Sequence, residues 1–349
     1  MRPHAQPVPL LAALLGAGLT VALLAGCAGQ AEPAAAPPAE PVTEAAAPES
    51  PAAEAPVDDF PLTLVNCGVE VAVEAPPERI VTIKSSATEM VLALGAGDRL
   101  VGTAFPDGPP PADLADAAAD LPVLSDKVPA AEVVLAAQPD LVFAGWESNL
   151  TAEGAGDRAT LGSLGVATYV APSACKDPAH RPVKLTFDDV FAEIEEAARL
   201  LGEAEAGATL IEEQRSALAR VPRDDSGRTA LWYSSGDDVP YVGAGIGAPQ
   251  MLLDAVGLTN IAAGVQDTWT AFSWEQVAQD DPDVIVLVDA TWNTAESKKA
   301  SLAASPATAN LTAVREQRYL VVPFAATEAG VRNVEAAQDL ADQLAALDR

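Results

Sequence analysis

From Phe60 onward the chain alternates short β-branched runs with amphipathic stretches. Residues 63–65 and 69–73 predict an opening hairpin. Residues 80–83, 100–103, 141–144 and 166–170 predict buried strands, because each is a short apolar run bounded by turn residues. Between the first two of these strands, residues 86–94 read as a helix with Ser85 or Ser86 as N-cap, Glu89 in its first turn, and Gly95 and Gly97 as stop signals. Strands alternating with helices imply a parallel sheet with right-handed crossovers. The rhythm breaks at 187–221, where Val190, Phe191, Ile194, Ala198 and Leu201 share one helical face and Leu210, Ile211 and Leu218 continue it. As one helix this stretch spans roughly 50 Å, more than one lobe needs, although Gly202 and Gly207 are possible breaks. After Arg228 the grammar resumes, with strands at 229–233, 284–288 and 319–322, a helix at 249–256 stopped by Gly257, and a final amphipathic helix ending near Leu347. The expected fold class is therefore α/β, two Rossmann-like lobes joined by a long helix with a ligand cleft between them.

The N-terminus follows a different pattern. Residues 1–6 carry one arginine, 10–26 are almost wholly apolar, and the run stops at Leu24-Ala25-Gly26-Cys27. That order is a secretory signal, slightly short for the about 20 apolar residues of a membrane span. Its last four residues resemble a bacterial lipobox, in which the cysteine, here Cys27, receives a diacylglycerol thioether. Residues 28–59 are Ala, Pro, Glu and small polar residues with no aromatic residue, so they cannot make a core. Their prolines favour an extended tether that reaches on the order of 100 Å. The expected organisation is a lipoprotein signal peptide at 1–26 and a lipid-anchored disordered tether at 27–59. An N-terminal lobe at 60–186, an interlobe helix at 187–221 and a C-terminal lobe at 222–349 follow. The body would sit at the outer face of the cell membrane.

Charge and composition narrow the chemistry. Fifty Asp and Glu against twenty Lys and Arg leave a net charge of -30 on 349 residues, and no local basic stripe offsets it, so nucleic acid is not an expected partner. The two histidines, His4 and His180, cannot build a multi-histidine metal site, and none is expected. There is no Gly-x-Ser-x-Gly elbow and no defensible cluster of catalytic carboxylates, which leaves a lipid-anchored hydrolase the weaker alternative to a binding protein. Gly243-Ala244-Gly245-Ile246-Gly247 lacks the strand and helix context of a dinucleotide loop. Of three cysteines, assigning Cys27 to lipid leaves Cys67 and Cys175 as an even pair. A Cys67–Cys175 disulfide is expected, with two buried free thiols as the alternative.

An internal repeat supports two lobes. Glu132-Val133-Val134-Leu135 precedes Pro139-Asp140-Leu141-Val142-Phe143, and Glu275-Gln276-Val277-Ala278 precedes Pro282-Asp283-Val284-Ile285-Val286 at the same spacing. Each copy reads as helix start, Pro-Asp turn and buried strand. These segments, with Arg79-Ile80-Val81, Ser85-Ser86-Ala87-Thr88-Glu89 and the run from Leu94 to Gly102, resemble type III (cluster A-II) periplasmic binding proteins. That family serves ATP-binding-cassette importers of cobalamin, haem and ferric siderophores. More narrowly, Thr82-Ile83-Lys84-Ser85, Gly102-Thr103-Ala104-Phe105-Pro106-Asp107-Gly108, Phe143-Ala144-Gly145-Trp146-Glu147 and Pro172-Ser173-Ala174-Cys175-Lys176 resemble an actinobacterial subfamily for coenzyme F-420-0. This is a deazaflavin carrying a ribityl phospholactate. The resemblance implies a non-enzymatic, monomeric receptor without a cofactor of its own, whose partners are a permease dimer and its ATPase. Glu132 and Glu275 match the paired glutamates by which the family docks on transporter arginines; as residues alone they also suit helix N-termini.

Loops after strand C-terminal ends face the cleft of such a fold. Lys84, Ser85 and Ser86 follow one strand and open a helix, which would suit an anionic group. Lys176 supplies a second cation. Phe105 and Asp107, Trp146 and Glu147 follow two more strands, and Tyr241, Trp269 and Phe272 come from the second lobe, so that rings gathered in loops point to a flat ligand. The expected ligand is a planar anion, with the deazaflavin favoured over cobalamin, haem or a ferric siderophore.

Overall fold

A computed structural model describes residues 59–348. The signal at 1–26, Cys27 and the tether up to residue 58 lie outside the described residues. The chain opens with an antiparallel hairpin, β1 (Leu62–Asn66) and β2 (Val69–Val73), whose register sets Leu62 opposite Val73. Next come β3 (Ile80–Ile83), β4 (Leu100–Ala104), β5 (Val123–Ser125), β6 (Leu141–Ala144) and β7 (Ala167–Val170). They form a parallel sheet in the order β5-β4-β3-β6-β7. Every residue of β3 and β6 is buried, as continuous apolar runs in the middle of a sheet covered on both faces must be.

The second sheet is built from β8 (Thr229–Ser235), β9 (Tyr241–Gly243), β10 (Thr259–Asn260), β11 (Trp269–Ala271), β12 (Val284–Asp289) and β13 (Tyr319–Pro323). Its order is β11-β9-β8-β12-β13, with β10 also on β8. The strands β8, β10, β12 and β13 pair in parallel, and β9 and β11 are added by antiparallel pairing. Alternate residues face opposite sides. Val284, Val286 and Val288 pack with Trp232, Leu252 and Leu340, whereas Ile285 and Leu287 pack with Tyr233 and Trp274. The expected α/β fold with two lobes is what the chain adopts.

The repeat has a structural counterpart. Asp140 accepts hydrogen bonds from the Glu78 and Arg79 amides at 2.8 and 3.0 Å, at the foot of β3. Asp283 accepts from the Thr229 amide and hydroxyl at 2.8 and 2.9 Å, at the foot of β8. In each lobe the Pro-Asp turn fixes its own strand against the central neighbour.

The interlobe segment corrects the single long helix. Thr186 caps a helix at Phe187–Leu201 through a reciprocal box with Asp189. The helix stops where Gly202 adopts φ 71°, a left-handed conformation that glycine enters without a Cβ clash. A second helix, Ala204–Leu218, then folds back antiparallel on the first. Arg215 pairs with Asp188 at 2.8 Å and lies 4.6 Å from the Phe191 ring centroid. Gly207 does not break a helix; it permits the contact, since a Cβ there would stand 2.4 Å from that of Ala198. This hairpin shares one hydrophobic cluster with both lobes. Met90 and Leu94 come from the first lobe, Ile194 and Leu201 from the hairpin, and Met251 and Val334 from the second.

Candidate functional site

The ends of β6, β7 and β8 and the segment after β13 converge on a cleft of about 350 Å³ between the lobes. From the first lobe side it is lined by Trp146, Ser173, Cys175, Lys176 and Arg181. From the second it is lined by Ser234, Tyr241, Trp269, Phe324 and Glu328. Antiparallel pairing of β9 with β11 brings Tyr241 beside Trp269, and their rings stack with centroids 6.1 Å apart and planes 13° apart. This is a flat aromatic wall. Burial, with the charges of Asp267 and Glu328, raises the Tyr241 pKa, so its phenol stays protonated.

The layer below the cleft holds most of the residues expected to touch an anion. Lys84 is 1% exposed and sits at φ 85°, and its ammonium is paired with Asp107. Asp107 Oδ2 also accepts from the Ser85 amide at 3.2 Å, and the Asp107 amide donates to Ser85 Oγ at 2.9 Å. The ammonium lies 3.7, 4.3 and 5.0 Å from the ring centroids of Trp146, Phe105 and Phe324. The expectation that Lys84, Ser85 and Ser86 receive an anionic ligand group is therefore corrected: a carboxylate of the chain itself already fills that cradle. Neither serine caps the helix Ser85–Ala93, whose N-cap is Lys84. Ser86 is buried against Gly145, where a Cβ would come within 2.7 Å of Ser86 Oγ. Phe105 and Asp107 belong to this lower layer and do not line the cleft.

The other expected residues divide. Trp146, Lys176, Tyr241 and Trp269 line the cleft. Glu147 does not; its carboxylate accepts the Lys176 amide at 2.5 Å and fixes the loop that carries that lysine. Phe272 packs with the Tyr233 and Trp274 cluster on the second sheet, away from the cleft. Glu132 and Glu275 are exposed in the first turns of the helices Ala131–Ala136 and Trp274–Asp280. A hydrogen bond from the Ser273 hydroxyl, at 2.5 Å, holds the Glu275 pKa below the ordinary carboxylate range.

Arg181, Phe324 and Glu328 are among the cleft residues that escaped the sequence reading. Arg181 lies in a loop without periodicity, brought to the cleft by the Cys67–Cys175 disulfide and by His180 packed over Gly68. The disulfide, with Cα atoms 5.2 Å apart, is the expected one. Among the described residues the side chains of Lys176 and Arg181 make no ion pair. Phe324 and Glu328 follow the end of β13, a position the strand-end rule does point to. Glu328 Oε2 accepts the Trp146 indole N–H at 2.9 Å across the lobes. Burial raises the Glu328 pKa. Asn333 fixes the segment by donating to the Ala326 and Glu328 carbonyls at 3.0 and 2.8 Å, and Arg332 forks onto buried Glu89 of the first lobe.

Two lobes on a shared core thus frame a cleft lined by aromatic rings and by two cations that, among the described residues, make no ion pair. Among the described residues no group of His, Cys, Asp and Glu could hold a metal ion. Residues 80–326 match the periplasmic binding protein family, and the chain belongs to it. Members are substrate-binding proteins of ABC transporters rather than enzymes; they act outside the cytoplasm with a permease and its ATPase. The chain is 25% identical to the uncharacterised ABC transporter substrate-binding lipoprotein YvrC of Bacillus subtilis (strain 168), over 82% of this chain and 86% of the relative. It is 29% identical to a cobalamin-binding protein of Halobacterium salinarum, over 69% of this chain and 63% of that protein's length. Among solved structures it resembles an ABC-type Fe3+-hydroxamate transport protein from Saccharomonospora viridis DSM 43017. That match has a TM-score of 0.70 and 29% identity and covers 82% of this chain and 99% of the other.

Proposed function

We propose that this protein is the lipid-anchored receptor of an import system for a planar, anionic cofactor-like molecule, with the deazaflavin coenzyme F-420-0 as its ligand. The observation that carries the reading is the pairing of the stacked Tyr241–Trp269 wall with Lys176 and Arg181, two cations that make no ion pair among the described residues. A ring system stacks on the wall, and a phosphate or carboxylate tail meets the cations. A cleft of about 350 Å³ lies near the small end of ligand sites, which run from roughly 300 to 1,000 Å³, and so favours a slim ring over a corrinoid. The likeness to a cobalamin-binding protein supports a corrinoid as the second reading.

Fluorescence titration with F-420-0, cobalamin, haemin and a ferric hydroxamate tests both. Saturable binding of the deazaflavin at micromolar or tighter affinity supports the first; binding of cobalamin alone replaces it with the second. Cys27 would hold the protein at the membrane, and Cys27→Ala would release it to the medium. Exposed Glu132 and Glu275, one on each lobe, would let a two-fold permease read both lobes at once. Replacing both with Ala should abolish uptake and leave ligand affinity unchanged.

A further inference from the structure

The acids around the cleft are unequally satisfied. Asp107 is held by Lys84 and Ser85, Glu89 by Arg332, and Glu147 receives the Lys176 amide. Glu328 differs. Its Oε2 takes the Trp146 N–H at 2.9 Å, but among the described residues its Oε1 accepts no hydrogen bond and neither oxygen meets a cation in an ion pair. An ionised carboxylate has lone pairs on both oxygens, and here one oxygen is left without a protein donor on a residue that lines the cleft together with Trp146, Tyr241 and Phe324.

We propose that Glu328 is a specificity-determining residue whose free oxygen accepts a hydrogen bond from an N–H or O–H on the ligand, so that the cleft selects molecules with a donor edge at one end and an anionic group at the other. The inference rests on reading this cleft as the ligand site, and it adds a polarity to it. Lys176 and Arg181 attract the anionic end, whereas an anion at Glu328 would meet like charge. A donor there restores the missing partner of a partly desolvated acceptor, and a ligand with an alkyl group at that position leaves it unpaired. The segment is rigid enough to discriminate, because Asn333 fixes the Glu328 carbonyl at 2.8 Å and the Trp146 indole fixes its carboxylate. A deazaflavin has this polarity, a lactam N–H on the ring and a phosphate on the tail.

The test titrates the wild-type protein and Glu328→Gln with F-420-0 and with its lactam N-methyl derivative. Glutamine can still accept from Trp146 while presenting an amide N–H to the ligand. A charged acceptor meeting a neutral donor predicts a wild-type preference for the N–H form of about 10- to 100-fold, which Glu328→Gln reduces to less than threefold with its thermal unfolding unchanged. Equal wild-type affinity for the two forms overturns the role of Glu328 and leaves the deazaflavin reading standing. Binding of cobalamin or a ferric hydroxamate instead overturns the deazaflavin reading; the role of Glu328 then requires at least a tenfold weaker complex in Glu328→Gln, and falls without it. A wild-type protein that binds none of the panel overturns both.

Discussion

Lys84 and the pair Lys176 and Arg181 are cations on the same lobe, the first directly after β3 and the other two in the loop that follows β7, yet the fold treats them in opposite ways. Lys84 is buried, paired with Asp107 and enclosed by Phe105, Trp146 and Phe324. Lys176 and Arg181 keep their charges open to the cleft on a loop held by a disulfide and three prolines. The difference is the reach of an acid. In a chain with 50 acidic residues a cation stays open to the cleft only where local geometry keeps carboxylates away, and the loop does that by committing Glu147 to a backbone amide. Lys84 serves the site through Trp146, whose ring it supports from below.

The largest expected effect comes from breaking the buried pair. Asp107→Ala leaves an ammonium buried without a counter-charge and should cost about 3 to 5 kcal/mol of stability, read from chemical denaturation. The double change Lys84→Met with Asp107→Leu should recover most of that loss, because it removes both charges. A loss below about 1 kcal/mol in the single variant would contradict the buried, uncompensated state. Next is the staple on the other side of the comparison. Replacing both Cys67 and Cys175 with Ala opens a link across a sequence separation of 108 and should cost about 2 to 4 kcal/mol. It should also weaken ligand binding, since the loop that carries Lys176 and Arg181 loses its anchor; unchanged affinity would show that the loop holds its place without it.

Glu193 is a third case, an acid left without a cation. It is buried in the helix Phe187–Leu201, and burial, with the charge of Glu196, raises its pKa from 4.5 to about 8. The folded state then holds a proton that the unfolded chain releases above about pH 4.5. The stabilisation is full below 4.5 and is lost as pH rises toward 8. Within that window stability should fall by up to about 1.4 kcal/mol per pH unit relative to Glu193→Gln. Denaturation of both proteins at pH 6 and pH 7 measures the difference, and parallel curves would mean that Glu193 does not titrate there.

The comparison also marks where sequence reasoning reaches its limit. The central strands β3, β6, β8 and β12 are apolar runs whose burial on both faces is written locally, and the Pro-Asp turns announce their own hydrogen bonds. The short strands β5, β9 and β11 have no such signal, because only pairing with a distant neighbour makes them strands. Gly202 and Gly207 look alike in one dimension; a left-handed turn separates the first from the second, which is a packing contact. Cleft membership is the least legible property. Lys84 looked like a ligand group because Asp107, 23 residues later, comes close only after β3 and β4 pair. Arg181 went unnoticed because its position is set by a disulfide and a histidine packed on a turn, not by a strand.

The smallest expected effect separates the two kinds of cation most directly. Arg181→Ala and Lys176→Ala each remove a partly or fully exposed charge from the cleft rim, so each should weaken F-420-0 by about 3- to 10-fold, within the range of charge-assisted contacts that water still reaches. The loss should vanish for the same deazaflavin without its phospholactate, which keeps the ring and has no anion to place. Lys84→Met should behave otherwise, weakening both ligands by the same factor, because it acts on the ring wall through Trp146 and not on the tail. Isothermal titration of the three variants with the two ligands gives the answer. A charge-selective loss in Lys84→Met, or an equal loss for both ligands in Arg181→Ala, would reverse the roles assigned to the two regions.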